Sequence, residues 1–254
     1  MNKLNKVLNF VRVDGQPTAP VCFLTIEDGG GFTEADLNAP EDAMCYFDTN
    51  PVWIPQKGEL EKKIKEKGGM RANLGTPGVF ISKIMSYLRF SEKEREYEYA
   101  KNYLYMRNEM NIKYYPISRS RMAQNIDGLL NFLGLENIQK YYDLCRFVRS
   151  PKFISIQDIF NRNKFYIICG IKYEWMDVLK HIFLDTDYFS TESTYTTRET
   201  RGNNLAYEFY NDNSGKTTHA YFNMFRRGIS DDEVYSFAEQ IKIKRQDILN
   251  SLCY

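Results

Sequence analysis

The sequence is short of net charge, of histidine and of paired cysteine, and each shortage removes a class of function. Lys and Arg number 34 against 33 Asp and Glu, a net charge of +1. Proteins that live on phosphate backbones carry a clear basic excess, so a nucleic-acid contact here must come from a local patch rather than from the bulk field. The five cysteines (Cys22, Cys45, Cys145, Cys169 and Cys253) are odd in number and never spaced CxxC. That argues against a disulfide framework or a structural zinc site and leaves reduced, mostly buried thiols, as in a reducing compartment. The only histidines, His181 and His219, are far apart in the chain, and no Gly-x-Ser-x-Gly elbow accompanies them. No apolar run reaches the length of a membrane span, and the broken run Val7, Leu8, Phe10, Val11 does not make a signal peptide. The expectation is a cytoplasmic protein, free or assembled into a particle, with no membrane contact, no cofactor and no resident metal.

What is present is ordinary globular material with an aromatic excess. Hydrophobic residues make up 43% and charged residues 26% of the 254, and 19 Tyr and 17 Phe stand against 2 Trp. Tyrosine joins an apolar ring to a polar tip and suits half-buried surfaces and interfaces.

Periodicity predicts an α+β protein in three stretches that can share one domain. Residues 1–75 are the least regular. Val21 to Ile26 is a compact apolar run, a buried strand ended by Asp28-Gly29-Gly30-Gly31. Short strands are expected at Met44–Phe47 and Val52–Ile54, bracketed by Pro40, Pro51 and Pro55. Gly58 to Lys67 reads as a helix with Leu60 and Ile64 on one face and favourable Glu59–Lys63 and Glu61–Lys65 pairs.

Residues 76–150 read as helical. Thr76-Pro77 is a start signal, and Ser91-x-x-Glu94 has the letters of a capping box opening a helix to about Met110. Helices over Arg121–Leu133 and Glu136–Val148 follow, parted by Gly134.

Residues 151–254 are mixed. Lys164 to Cys169 suits a strand, Tyr173 to Asp185 a helix, and Ser190 to Thr200 a loop. Leu205, Tyr207 and Phe209 alternate before a turn at residues 211–215; Ala220, Phe222 and Met224 alternate after it. That is a β-hairpin. Ser230-x-x-Glu233 is a capping box for a terminal helix with Val234, Phe237 and Ile241 inward.

Four features carry candidate chemistry. Ser214-Gly215-Lys216-Thr217-Thr218 copies the end of a phosphate loop, but Tyr210 occupies the early glycine position and a strand follows, so the hairpin turn is the better reading. Glu27-Asp28-Gly29-Gly30-Gly31 puts two carboxylates after a strand, a place for Mg²⁺ in a metal-dependent hydrolase or nuclease. His181, beside Val178 and Ile182 on a helix face, reads as a half-buried, hydrogen-bonded side chain, and His219 falls in the hairpin's second strand; a Ser/Cys–His–Asp set would have to assemble from distant segments. Finally, basic and aromatic residues interleave. Tyr114, Tyr115, Arg119 and Arg121 are placed before a helix; Arg146, Arg149 and Lys152 at a helix end; Arg198, Arg201, Arg226 and Arg227 around the hairpin. As a solvated surface these need no ligand; as a winged helix they touch phosphates.

Three functions remain. The first is a non-catalytic structural component of a larger assembly, such as a virus-like particle, with protein partners or self-association. The second is a nucleic-acid-binding regulator using Arg119, Arg121, Arg198, Arg201, Arg226 and Arg227 with a winged-helix-like C-terminal part. The third is the metal-dependent hydrolase.

Overall fold

The computed structural model describes residues 3–10, 13–16, 19–25, 55–56, 58–66, 69–117, 125–149, 165–169, 199–200, 204–205, 207–211, 218–222 and 230–252. In chain order the elements are α1 (Lys3–Asn9), β1 (Val13–Gly15), β2 (Val21–Thr25), α2 (Glu59–Glu66), α3 (Met70–Phe90), α4 (Glu96–Asn102), β3 (Glu109–Lys113), α5 (Asp127–Phe132) and α6 (Ile138–Leu144), which runs into a π-helical turn, Cys145–Arg149. Then come β4 (Phe165–Cys169), β5 (Glu199–Thr200), β6 (Asn204–Leu205), β7 (Tyr207–Asn211), β8 (Thr218–Phe222), α7 (Asp231–Lys244) and α8 (Gln246–Ser251). The protein is α+β.

One six-stranded sheet, in the order β1-β3-β2-β4-β8-β7, takes strands from all three stretches of the chain. Its centre is parallel: β2 lies parallel to β3 on one side and to β4 on the other, and β4 parallel to β8. The edge strands β1 and β7 run antiparallel to β3 and β8. A side-chain period of two sends alternate residues to opposite faces, and both faces are covered. Val13, Cys22, Leu24, Met110 and Ile112 meet the layer of α1, α5 and α6. Val21, Phe23, Phe209, Ala220 and Phe222 meet α2, α3, α4 and α7.

Local sequence chemistry explains most elements. Leu60 and Ile64 are buried, and Lys63–Glu59 and Lys65–Glu61 close at 2.7 Å each across α2. α3 is two helices joined across a kink at Gly75 (φ 63°, ψ 179°), and Thr76-Pro77 begins the second. Only a residue without Cβ reaches that conformation cheaply. The hairpin pairs Phe209 with Ala220 and Tyr207 with Phe222, the register its alternation implies.

Four expectations need correction. The helix drawn to Met110 ends at Asn102, and Glu109–Lys113 is a strand, one in from the β1 edge of the sheet. Ser91 opens no helix. It closes α3 in the left-handed region (φ 57°), and Glu94 is left-handed as well (φ 63°). Tyr114, Tyr115 and Arg149 are buried, not surface residues: the tyrosines follow β3 into the core, and the π-helical turn carries Arg149 inward. The hairpin is no free wing, because β8 pairs with β4 on its other side. Met44–Phe47, Val52–Ile54 and Tyr173–Asp185 lie outside the described residues.

Candidate site at the carboxyl edge of the parallel strands

Because β2, β3, β4 and β8 are parallel, their carboxyl ends (Thr25, Lys113, Cys169 and Phe222) share one edge of the sheet. β2 has the later parallel strands β3 and β4 on opposite sides, so the strand order reverses at it. In open sheets with helices on both faces, such a switch point leaves a crevice outside the carboxyl ends, where ligands bind.

The strand beside that point is unusual. On β3, Met110 and Ile112 enter one core, while Glu109, Asn111 and Lys113 alternate onto the opposite face and are buried too. Buried polar groups need partners, and a network supplies them. The Thr25 hydroxyl donates to Asn111 Oδ1 at 2.9 Å, and Asn111 Nδ2 donates to the Tyr105 hydroxyl at 3.4 Å. Glu109 accepts from the Tyr99 hydroxyl and from the Tyr105 backbone N–H, each at 2.5 Å. Burial pushes the Glu109 carboxyl up to about 7, against the pull of those two donors. Burial, with the Glu109 charge beside it, holds the Tyr99 phenol well above its usual range. Tyr105 is itself left-handed (φ 62°), pinned there by the bond to Glu109.

Arg149 fixes the end of β3 from the other face. Its Nε donates to the Tyr114 carbonyl at 2.6 Å and its Nη2 to the Lys113 carbonyl at 3.3 Å. Its Nη1 reaches the carbonyls of Leu8 and Phe10 at 2.9 and 2.7 Å, tying the end of α1 to the same point. Burial lowers its guanidinium's affinity for the proton. The Tyr141 hydroxyl accepts from the Ile117 N–H at 2.9 Å and holds the chain as it leaves the strand.

Asp14, on β1, faces Lys113, its carboxylate 3.9 Å from the ammonium. Gly15 next to it is required by packing, because a Cβ there would overlap the Glu109 carbonyl.

All six arginines named from the sequence (Arg119, Arg121, Arg198, Arg201, Arg226 and Arg227) lie outside the described residues, as do Glu27, Asp28 and His181. His219 lies on β8, paired with Tyr166 of β4 and Tyr210 of β7. Thr218 begins β8, so a strand, and no helix, follows the phosphate-loop letters. Among the described residues, no group of three or more His, Cys, Asp or Glu is placed to hold a metal ion, and no helix is long and apolar enough to cross a membrane. Cys22 and Cys145 are buried. A groove of about 490 Å³ beside α7 is lined by Tyr87, Lys93, Asp232, Tyr235 and Glu239. Its facing charges Lys93 and Asp232 are already paired at 2.6 Å.

Sequence reading missed Glu109, Asn111, Lys113, Thr25 and Asp14 as a set. The signal was there in the strict polar–apolar alternation of Glu109-Met110-Asn111-Ile112-Lys113. No known protein family matches the chain, and neither a curated protein nor a solved structure matches it.

Proposed function

We propose that this protein binds nucleic acid along the carboxyl edge of its parallel strands. One observation carries the reading: β3 and β8, through β2 and β4, point their carboxyl ends the same way. Two basic runs far apart in sequence leave the sheet from that edge. Arg119 and Arg121 come six and eight residues after Lys113, and Arg226 and Arg227 four and five after Phe222. At about 3.5 Å of reach per residue, the chain from Lys113 to Arg121 spans at most about 28 Å and that from Phe222 to Arg227 at most about 18 Å. A protein of balanced net charge that meets phosphates needs such a local gathering. Arg198 and Arg201 precede the hairpin and are not part of it.

The test is fluorescence anisotropy of labelled single- and double-stranded oligonucleotides across a salt series. Changing Arg119, Arg121, Arg226 and Arg227 together to Ala is expected to weaken binding at least tenfold and to flatten the salt slope by about 3. Changing Arg198 and Arg201 should leave both nearly as they were. Equal loss from the two sets, or no binding by the wild type at low salt, overturns the reading.

The hydrolase reading keeps one supporting observation: Glu27 and Asp28 follow β2, the strand at the switch point. It adds Mg²⁺-dependent cleavage of the same oligonucleotides, lost in Asp28→Asn while binding persists. A structural role in a larger assembly calls for a contiguous exposed apolar face. Among the described residues the exposed large apolar side chains are Tyr97, Phe147 and Ile243, on three separate elements, so that role draws less support.

A further inference from the structure

The buried ionisable groups of the molecule differ in how their charge is met. Arg149 has four backbone carbonyls, Arg245 has the Asp247 carboxylate, and Glu233 caps the N-terminus of α7. Glu109 has no such answer. It is fully buried, both of its hydrogen-bond partners, the Tyr99 hydroxyl and the Tyr105 N–H, are neutral, and among the described residues no cation pairs with it. A carboxyl so placed takes up a proton rather than hold a charge away from water. Of the charged groups on the elements packed around it, Arg89 of α3 is the one whose field reaches it. That guanidinium lies over the Tyr103 ring, 3.9 Å from its centroid. From α4 comes the Tyr99 phenol, itself held neutral by burial. The neighbours from β1 and β2, Gly15 and Val21, carry no charge.

What Glu109 holds is the turn that joins α4 to β3. The N–H groups of Tyr103 and Leu104 still donate to the Tyr99 carbonyl, at 2.8 and 3.2 Å, and the Met106 N–H donates to the Tyr103 carbonyl at 3.0 Å. Between them Tyr105 stands in the left-handed region (φ 62°). A bulky residue stays there only where its surroundings hold it. The bond from its N–H to Glu109 and the bond its hydroxyl accepts from Asn111 supply that hold. Asn111 in turn accepts from Thr25, so opening the turn takes a partner from a chain of bonds that runs to the far end of β2. The turn also reaches the surface at Arg107, which is exposed.

We propose that Glu109 is a pH-dependent latch on the turn between α4 and β3: protonated, it keeps Tyr105 in place, and ionised, it lets residues 103–108 open to water. The carboxyl sits near 7 when closed and near 4.5 once solvated. Its hold is therefore complete below pH 4.5 and is lost as pH rises through about 7, opening becoming easier by up to tenfold per pH unit between the two values and no easier above them.

The experiment is amide hydrogen exchange on the full chain, corrected for the intrinsic rate at each pH, from about pH 4.5 to about 8. Protection of the Tyr103, Leu104, Tyr105 and Met106 amides is expected to fall roughly a hundredfold across that range and then level off. It should be indifferent to low urea, as local openings are, while the Phe237 and Ile241 amides of α7 are better protected and urea-sensitive. In Glu109→Gln the turn amides should show no pH dependence. Carbon-13 NMR of the wild-type Glu109 carboxyl, with a midpoint near 7, identifies the titrating group without a variant. Turn protection in the wild type that does not change with pH overturns the proposal, whether or not Glu109→Gln folds. So does a turn that follows α7 in both pH and urea, since the opening is then global, or a slope that persists in Glu109→Gln, since another group then titrates. A Glu109 carboxyl that titrates as an ordinary glutamate overturns it as well.

Discussion

The two ends of the sheet are built on opposite principles. At the hairpin end Phe222 stacks on Phe237 of α7, with centroids 4.6 Å apart and planes 11° from parallel. Tyr207 and Phe209 close on the same ring at 5.2 and 5.5 Å. At the other end β3 buries Glu109, Asn111 and Lys113, flanked by Asp14 and Thr25. Aromatic burial of the first kind directly favours folding. Polar burial of the second kind, even when satisfied, contributes little net stability and fails badly if one partner is lost. A fold that needed only a stable sheet would repeat the hairpin solution throughout. The β1-β3-β2 end thus buries a polar network where the β8-β7 end buries an aromatic cluster.

The largest expected effect tests the stabilising half of that contrast. Phe237→Ala removes a fully buried ring that touches three others, and should lower the unfolding free energy by about 3–5 kcal/mol in chemical denaturation. It should leave oligonucleotide binding intact wherever the protein remains folded. A loss under about 1 kcal/mol would mean that the hairpin end is not where the stability lies.

The next effect tests the polar half through pH. The Glu109 carboxyl sits near 7 in the folded protein against 4.5 for an ordinary glutamate. A raised acid holds its proton in the folded state while the unfolded chain gives it up. Its contribution is therefore fully present below pH 4.5 and is lost as pH rises through about 7. At 1.36 kcal/mol per unit, the span corresponds to roughly 3 kcal/mol. The stability of wild type relative to Glu109→Gln should fall by that order across the window, because the amide does not titrate. Parallel pH profiles for the two proteins would show that the polar end is as indifferent to charge as the aromatic end.

How much of this was legible depended on whether a pattern had one physical cause or two. The hairpin was readable to its register because alternation and turn chemistry agree, and α2 because its apolar face and ion pairs agree. β3 alternates as plainly as β7, but alternation in sequence implies a solvated polar face. Nothing local says that α3 and α4 will cover that face and bury Glu109. Arg149 misled for the same reason. A basic residue at a helix end satisfies the dipole in water, and only the π-helical turn, with four carbonyls waiting, brings it inside. The parallel centre of the sheet was beyond the sequence altogether, since strand order is set by crossovers. The candidate site was therefore invisible as a site while several of its residues were conspicuous.

The smallest effect concerns the helix that carries Phe237, and it separates two copies of one motif. At Ser230 the backbone is extended (φ −94°, ψ 158°), the hydroxyl accepts from the Glu233 N–H at 3.3 Å, and the Glu233 carboxylate accepts from the Ser230 N–H at 2.8 Å. Ser91-Glu92-Lys93-Glu94 has the same spacing but meets a helix still in progress, and Ser91 ends it in the left-handed region with its N–H on the Tyr87 carbonyl. Ser230→Ala should therefore cost about 1 kcal/mol by freeing the first turn of α7. Ser91→Gly should be neutral to stabilising, since glycine reaches a positive φ without strain, even though the bond from Lys242 Nζ to the Ser91 hydroxyl at 2.6 Å is lost. The denaturation midpoints of the two variants should move apart. If they move together, the cap at Ser230 contributes no more than its look-alike, and the hold of α7 on the hairpin comes from the aromatic stack alone.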